Sequence, residues 1–310
     1  MAKRRRKERG RNISGILLLD KPAGITSNEA LQHVKTLYQA RKAGHTGSLD
    51  KMATGLLPLC FGEATKFSGY LLDADKSYDV TCRLGLETET GDADGDTVRE
   101  QPVPDLTIAA IESVLARYRG EIEQIPPMFS ALKHKGQRLY ELAYRGIEVE
   151  REPRGVSVYT LELVHFDSPF LRLYVKCSKG TYIRTLAADI GRELGCGASV
   201  HRLRRVGAGP FLENEMVTMD EIENLAESER GAMDRKLLTI DSALRQLPRV
   251  ELTGHVVDYI LEGQAVTVPH APTSGLLRIY TDRNEFLGLG EILDDGRVAP
   301  RRLVNREFKV

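Results

Sequence analysis

The four cysteines of this chain, Cys60, Cys82, Cys177 and Cys196, stand apart, with no C-x-x-C spacing among them. That argues against a zinc-binding pattern and against a disulfide framework, so no metal is expected. The sequence also lacks any apolar run near the roughly 18–20 residues a membrane span needs, and no export signal opens it. A cytoplasmic protein with no membrane partner is the resulting expectation. Net charge is absent too, with 44 Lys and Arg against 44 Asp and Glu. A balanced total is a poor signature of a nucleic-acid binder, whereas local basic stripes are a fair one. Two stripes exist. Residues 1–12 carry Lys3, Arg4, Arg5, Arg6, Lys7, Arg9 and Arg11 against Glu8, and Arg172 to Arg205 holds eight Lys and Arg against Asp189 and Glu193. Acid concentrates instead at Glu87–Glu100 and Glu213–Asp234. Taken alone, the first stripe reads as a solvated, flexible tail over residues 1–13.

What is present is an alternation of strand and helix patterns over a length that suits about two domains. Gly15 to Asp20 reads as a buried strand stopped by Lys21-Pro22-Ala23-Gly24. Thr26 and Glu29 have capping-box spacing ahead of Ala30, Leu31, Val34 and Leu37, which share one helical face. Tyr78, Val80, Cys82 and Leu84 alternate with polar residues, as in a strand with one buried face. Thr107 caps a helix through Tyr118, residues 156–177 form two strands about Asp167-Ser168-Pro169, and a helix runs from Thr181 to Leu194. Thr218 and Glu221 cap another helix, within an acidic covering layer. Pro248 marks a break, after which one helix (Gly254 to Leu261) and several short strands make a small β-rich unit. The expectation is an α+β protein with a mixed, mainly antiparallel sheet flanked by helices, divided at 14–247 and 248–310. Residues 125–154 form a long excursion that mixes Lys133, Lys135, Arg138, Arg145, Arg151 and Arg154 with Tyr140 and Tyr144. Cations beside aromatics suit a surface that grips a phosphate backbone, and a mobile surface insertion is the plain alternative.

The densest cluster of chemistry is Gly44-His45-Thr46-Gly47-Ser48-Leu49-Asp50, continuing through Thr54-Gly55-Leu56-Leu57-Pro58. It sets one carboxylate in a glycine-rich loop that a following hydrophobic run anchors. Together with Leu19-Asp20-Lys21-Pro22, Thr26-Ser27-Asn28, Lys76-Ser77-Tyr78-Asp79-Val80, Lys179-Gly180-Thr181-Tyr182-Ile183-Arg184-Thr185 and Leu203-Arg204-Arg205, this loop resembles the bacterial tRNA pseudouridine synthase B (TruB) family from about residue 14 onward. Gly288 to Val304 also resembles the end of a PUA domain, a small RNA-binding barrel.

The resemblance implies the pseudouridine synthase fold with a β-barrel-like PUA unit. It implies isomerisation of a uridine in the T loop of tRNA, at position 55, without a cofactor. Asp50 is then the reacting carboxylate, as nucleophile or base, with Tyr78 stacking on the everted base and its hydroxyl able to take the C5 proton, and Arg184 pairing with Asp50. His45, Tyr182 and Leu203 surround the target nucleotide, and His45 holds the opened loop or its phosphates. Lys21 joins this substrate side as a support of the catalytic loop. Residues 125–154 become a thumb gripping the T arm through Lys133, Lys135, Arg138 and Arg145, aided by Arg204 and Arg205. No obligate protein partner is implied, and a monomer is expected. The family usually has proline directly after the catalytic aspartate, where this chain has Lys51. Read singly, Asp50 is a turn residue, Tyr78, Tyr182 and Leu203 are core, and Arg184 is a surface or phosphate-binding arginine. A guide-RNA-dependent rRNA enzyme and a non-catalytic tRNA-binding or folding protein are the other readings.

Overall fold

The computed structural model describes residues 10–305. The basic run of residues 3–9 lies outside them, but the end of the expected tail belongs to the fold. Arg11 donates from its backbone to the Gln39 carbonyl and forks onto the Asp234 carboxylate.

The strand that follows the Asp50 loop, Thr54–Phe61, is buried almost throughout, as is its antiparallel neighbour Gly15–Lys21. Side chains of a strand alternate between faces. Leu17, Leu19, Leu57, Leu59 and Phe61 therefore enter one core, while Ile16, Leu18, Leu56 and Cys60 enter a second core on the opposite side. Burial on both faces explains why these two segments read as unbroken apolar runs. The strands Lys76–Leu84 and Phe170–Cys177 instead bury alternate residues and leave one face open.

The main sheet has ten strands. Its path runs Val217–Thr218, Gly15–Lys21, Thr54–Phe61, Ala198–Ala208, Lys76–Leu84, Phe170–Cys177, Arg154–Asp167 and Gly120–Gln124. Two pairings, Gly15–Lys21 with Val217–Thr218 and Thr54–Phe61 with Ala198–Ala208, are parallel; the rest are antiparallel. This is the mixed, mainly antiparallel sheet expected. Helices Ser27–Leu37, Ile108–Leu115 and Ile183–Glu193 cover the first core, and the boxes at Thr26/Glu29 and Thr218/Glu221 form as their spacing indicated. The third helix begins at Ile183 rather than Thr181. Thr181 Oγ1 is taken by the Ser178 carbonyl at 3.0 Å, and Tyr182 keeps an extended backbone. The Thr107 helix ends at Leu115 and tightens into a 3-10 turn over Ala116–Tyr118. No helix among the described residues is long and apolar enough to cross a membrane.

The thumb segment contains a hairpin, Lys133–His134 with Gln137–Arg138, and a short helix Leu139–Ala143. Lys135 and Gly136 both take positive φ at its tip, the backbone a two-residue hairpin requires. The C-terminal strands Arg249–Leu252, Leu276–Thr281, Phe286–Ile292 and Val298–Leu303 form an open four-stranded sheet with a core of its own, beside the helix Val256–Leu261. Closure goes no further, among the described residues, than a bridge from Val266 to Val298, so the expected barrel-like unit is an open sheet here. This unit is not loosely tethered. Leu289 belongs to the second core of the larger domain, Phe286 lies 5.7 Å from Phe67, and Tyr280 donates to Asp241 at 2.6 Å.

Candidate active site

The Asp50 loop is held by atoms distant in sequence. Ala43–His45 pairs with the end of the Thr54–Phe61 strand, closing the loop at its base. Ser27 Oγ accepts from Leu49 N at 2.8 Å, and Gly24 N donates to the Lys51 carbonyl at 2.9 Å. Lys21 is fully buried, and its ammonium donates to the carbonyls of Pro22 (2.7 Å), Ile25 (2.8 Å) and Lys51 (3.4 Å). Burial pushes that ammonium down to about 8, with Asp50 opposing the shift. Lys21 therefore braces the loop and has no donor left for a substrate, which corrects its placement among substrate-binding residues. The Lys51 side chain is exposed while its carbonyl does the bracing.

Glycine is required at position 55. Its φ of +98° suits few other residues, and a Cβ there would lie 2.3 Å from the Arg205 carbonyl oxygen. That close approach lets the Asp50 loop run directly into the parallel pairing of Gly55 with Arg205.

Arg184 meets Asp50 across this loop. Its Nε lies 2.9 Å from one carboxylate oxygen and its Nη2 donates to the other at 3.2 Å, a two-point pairing. The remaining donors are engaged too: Nη1 binds the Thr90 carbonyl at 2.7 Å, and Nη2 also binds the Phe129 carbonyl at 2.8 Å. Asp92, 4% exposed, stands 3.7 Å from the same guanidinium. The Arg184 side chain is 7% exposed, whereas that of Asp50 is 39% exposed, so the carboxylate is the open member of the pair. Burial and the nearby Asp92 charge push the Asp50 carboxyl above its ordinary value, and Arg184 pulls it back. Removing the arginine leaves the raising influences opposed only by the smaller effect of the Lys21 charge. Arg184→Gln is therefore expected to make Asp50 hold its proton to a higher pH, seen as an upward-shifted carboxyl midpoint in an NMR titration. An unchanged or lower midpoint would mean that the pairing does not control the carboxylate.

Tyr78 is half-buried on the strand beside this pair, with its hydroxyl against Arg205 and Asp50 within electrostatic reach. Burial raises its phenol above the ordinary range, while Arg205 lowers it. Arg205 itself is 1% exposed, and its guanidinium donates to Leu56 O at 2.6 Å and Gly47 O at 3.1 Å. It cannot reach an RNA backbone. The expected RNA contact at Arg205 is replaced by a role inside the core, tying Tyr78 to the Asp50 loop. Arg204 stays partly exposed, but its guanidinium is engaged, with both ends of its fork on Asp20 (2.9 and 2.8 Å) and its Nε on Glu213 (3.4 Å).

His45 is held neutral over a wider range than usual, because burial and Arg205 lower its pKa, and its Nδ1 is buried without a partner. Leu203 is 6% exposed in the main core, paired with Val80 on the strand that carries Tyr78. Tyr182 is half-buried, with Asp50 and Arg184 within electrostatic reach. Lys133, Lys135, Arg138 and Arg145 are exposed on the thumb, with Arg138 over the Tyr140 ring at 5.8 Å. Sequence reasoning missed Asp92 and Gln124, the latter a buried amide at the thumb's root. Asp92 stands among Asp94 and Asp96, and nothing in one sequence separates the buried carboxylate from its neighbours.

The chain matches known proteins along almost its whole length. Residues 35–183 match the TruB family pseudouridylate synthase N-terminal domain, 184–245 the tRNA pseudouridylate synthase B C-terminal domain, and 248–304 the C-terminal domain of pseudouridine synthase II TruB. A tRNA pseudouridine synthase B of Coxiella burnetii (strain Dugway 5J108-111) is 52% identical over 297 residues, covering 96% of each chain. One from Pseudomonas putida (strain F1) is 55% identical over 300 residues, covering 96% of this chain and 97% of that one. The fold is shared with a chain of the H/ACA RNP bound to a substrate RNA containing 2'-deoxyuridine, at a TM-score of 0.72 and 24% identity, covering 96% of this chain and 87% of that one. With a carboxylate–arginine pair in an aspartate loop and family matches along its length, the chain belongs to the TruB family of pseudouridylate synthases.

Proposed function

We propose that this chain converts a uridine in the T loop of tRNA, at position 55, to pseudouridine, acting alone as a cytoplasmic monomer. The observation that carries the reading is the open Asp50 carboxylate, held at two points by a buried Arg184. The reaction breaks the N1–C1′ bond, turns the uracil over, joins C5 to C1′, releases the C5 proton and leaves N1 to take up a proton in its place. Every atom of the nucleotide except that proton, which exchanges with water, stays in the product. No oxidant, reductant or hydrolytic water enters the balance. The base must leave its stack first, at a cost of a few kcal/mol. Residues 14–247 serve as the catalytic domain and 248–310 as a PUA-like RNA-binding unit.

Each residue then has a physical task. Asp50 supplies the carboxylate that reacts with the everted nucleotide, and Arg184 keeps it ionised against burial and the Asp92 charge. The Tyr78 ring offers a face for stacking. Burial keeps its phenol protonated, so it is not a resting phenolate waiting for the C5 proton. His45, held neutral by burial and by Arg205, helps hold the opened loop. The thumb cations Lys133, Lys135, Arg138 and Arg145 bind phosphates of the T arm.

The test is the purified chain on a bare, unmodified tRNA transcript with a chelator and no other protein or RNA. T-loop pseudouridine should accumulate. A requirement for a guide RNA or a partner protein would favour the guide-dependent class, and binding without product would favour a folding factor.

A further inference from the structure

The thumb leaves the sheet directly after Gln124, the last residue of the Gly120–Gln124 strand. The next residues, Ile125, Pro126 and Pro127, lead into the excursion, and Ile125 is 53% exposed. Gln124 by contrast is 3% exposed, although it carries a primary amide that ordinarily seeks water. Its side chain is spent on one residue. Oε1 accepts from Tyr182 N at 3.0 Å, and Nε2 donates to Tyr182 O at 3.3 Å. The amide thus reproduces, across 58 residues of sequence, the paired bonds that a neighbouring strand would give.

Tyr182 needs such support. It stands between the Gly180-Thr181 turn and the helix Ile183–Glu193, in extended conformation, and gives that helix no side-chain cap. The phenol of Tyr182 is raised by burial. Ser130 and Phe129 both lie just beyond the two prolines, and the Phe129 carbonyl receives Arg184. The other stem of the thumb is closed onto the first, because Arg151 donates to the Pro126 carbonyl at 3.2 Å. Residues 124–130 therefore hold Tyr182 at its backbone and receive Arg184 two residues later.

We infer that Gln124 is a positioning residue, which links the root of the thumb to the catalytic pocket by fixing the backbone of Tyr182 and, through it, the start of the helix that carries Arg184. The inference rests on reading this cleft as the uridine site. Gln124 touches neither substrate nor the reacting carboxylate. Its loss should disturb the chemical step, because sub-ångström displacements of site groups have large kinetic effects, while the exposed thumb surface that grips RNA is unaltered.

The experiment compares wild type, Gln124→Ala and Gln124→Glu on one tRNA transcript, measuring single-turnover pseudouridine formation, the tRNA Kd and the melting temperature. Gln124→Ala should lower the single-turnover rate about tenfold or more while leaving Kd within about threefold. Gln124→Glu has the same shape and still accepts from Tyr182 N. As a carboxylate it lacks the donor for Tyr182 O and sets an oxygen against that carbonyl; protonation restores the donor. Its rate relative to wild type should therefore rise as pH falls across roughly pH 8 to 5.5, a trend that a merely space-filling residue has no means of producing. A Gln124→Ala rate within about twofold of wild type would overturn the inference, as would rate and affinity falling together, or a Gln124→Glu ratio flat with pH. If Gln124→Ala fails to fold, the isosteric Gln124→Glu series decides alone. A wild type that forms no pseudouridine overturns the parent reading instead, so the two failures are distinguishable.

Discussion

Asp50→Asn should lower single-turnover pseudouridine formation by on the order of 10⁴-fold or more, the scale on which enzymes lose rate when the reacting group is deleted. Binding should survive. Asparagine keeps the shape of the side chain, and its Oδ1 still accepts from Arg184, whose other donors remain on the Thr90 and Phe129 carbonyls. The loop is braced by Lys21 and Ser27 through backbone atoms that the substitution does not touch. A tRNA Kd within about threefold of wild type is thus expected beside the lost rate, a pattern that marks an interaction made only during the reaction. If affinity fell by the same factor as rate, Asp50 would be holding the loop or the RNA together instead.

The second large effect concerns stability. Arg205→Met should cost about 3–5 kcal/mol, because it strips the donor from Leu56 O, Gly47 O and the Tyr78 hydroxyl inside a closed core. Thermal unfolding should show this as a midpoint lower by on the order of 10 °C. The steepness with which tRNA binding weakens in salt should not change, since the guanidinium never meets a phosphate. The thumb cations give the opposite pattern. Lys133→Ala combined with Arg138→Ala should reduce the salt slope by about one to two and leave the melting midpoint in place, because both side chains are exposed. An Arg205→Met protein with wild-type stability and a shallower salt slope would reverse the assignment made from its burial.

Arg205 also shows where the sequence stops being informative. Arg204 and Arg205 are adjacent cations in a basic stripe, and a strand turns successive side chains to opposite faces. One of them had to point inward, but which face is closed depends on the parallel pairing with Gly55, a contact 150 residues distant. Charge was legible and direction was not. The same holds for Lys21, whose burial follows from three carbonyls that converge only when the Asp50 loop folds over it. Elements governed by neighbours in sequence were readable: the capping boxes at Thr26 and Thr218, the alternation from Tyr78 to Leu84, and the hairpin about Asp167–Pro169. The pairing of Asp50 with Arg184 came from family resemblance, since no periodicity connects residues 134 apart. Asp92 and Gln124 were hidden for a related reason. Each is a common surface residue type whose burial is created by the Arg184 helix and the thumb root closing over it.

The most direct measurement follows tritium. A tRNA carrying C5-tritiated uridine, mixed with excess enzyme, reports the proton that leaves when C5 takes the place of N1 on the ribose. The wild-type chain should release one tritium for each T-loop pseudouridine formed, and Asp50→Asn should release none over the same period. Tritium release by Asp50→Asn at a rate near that of wild type would contradict the assignment of the chemistry to this carboxylate.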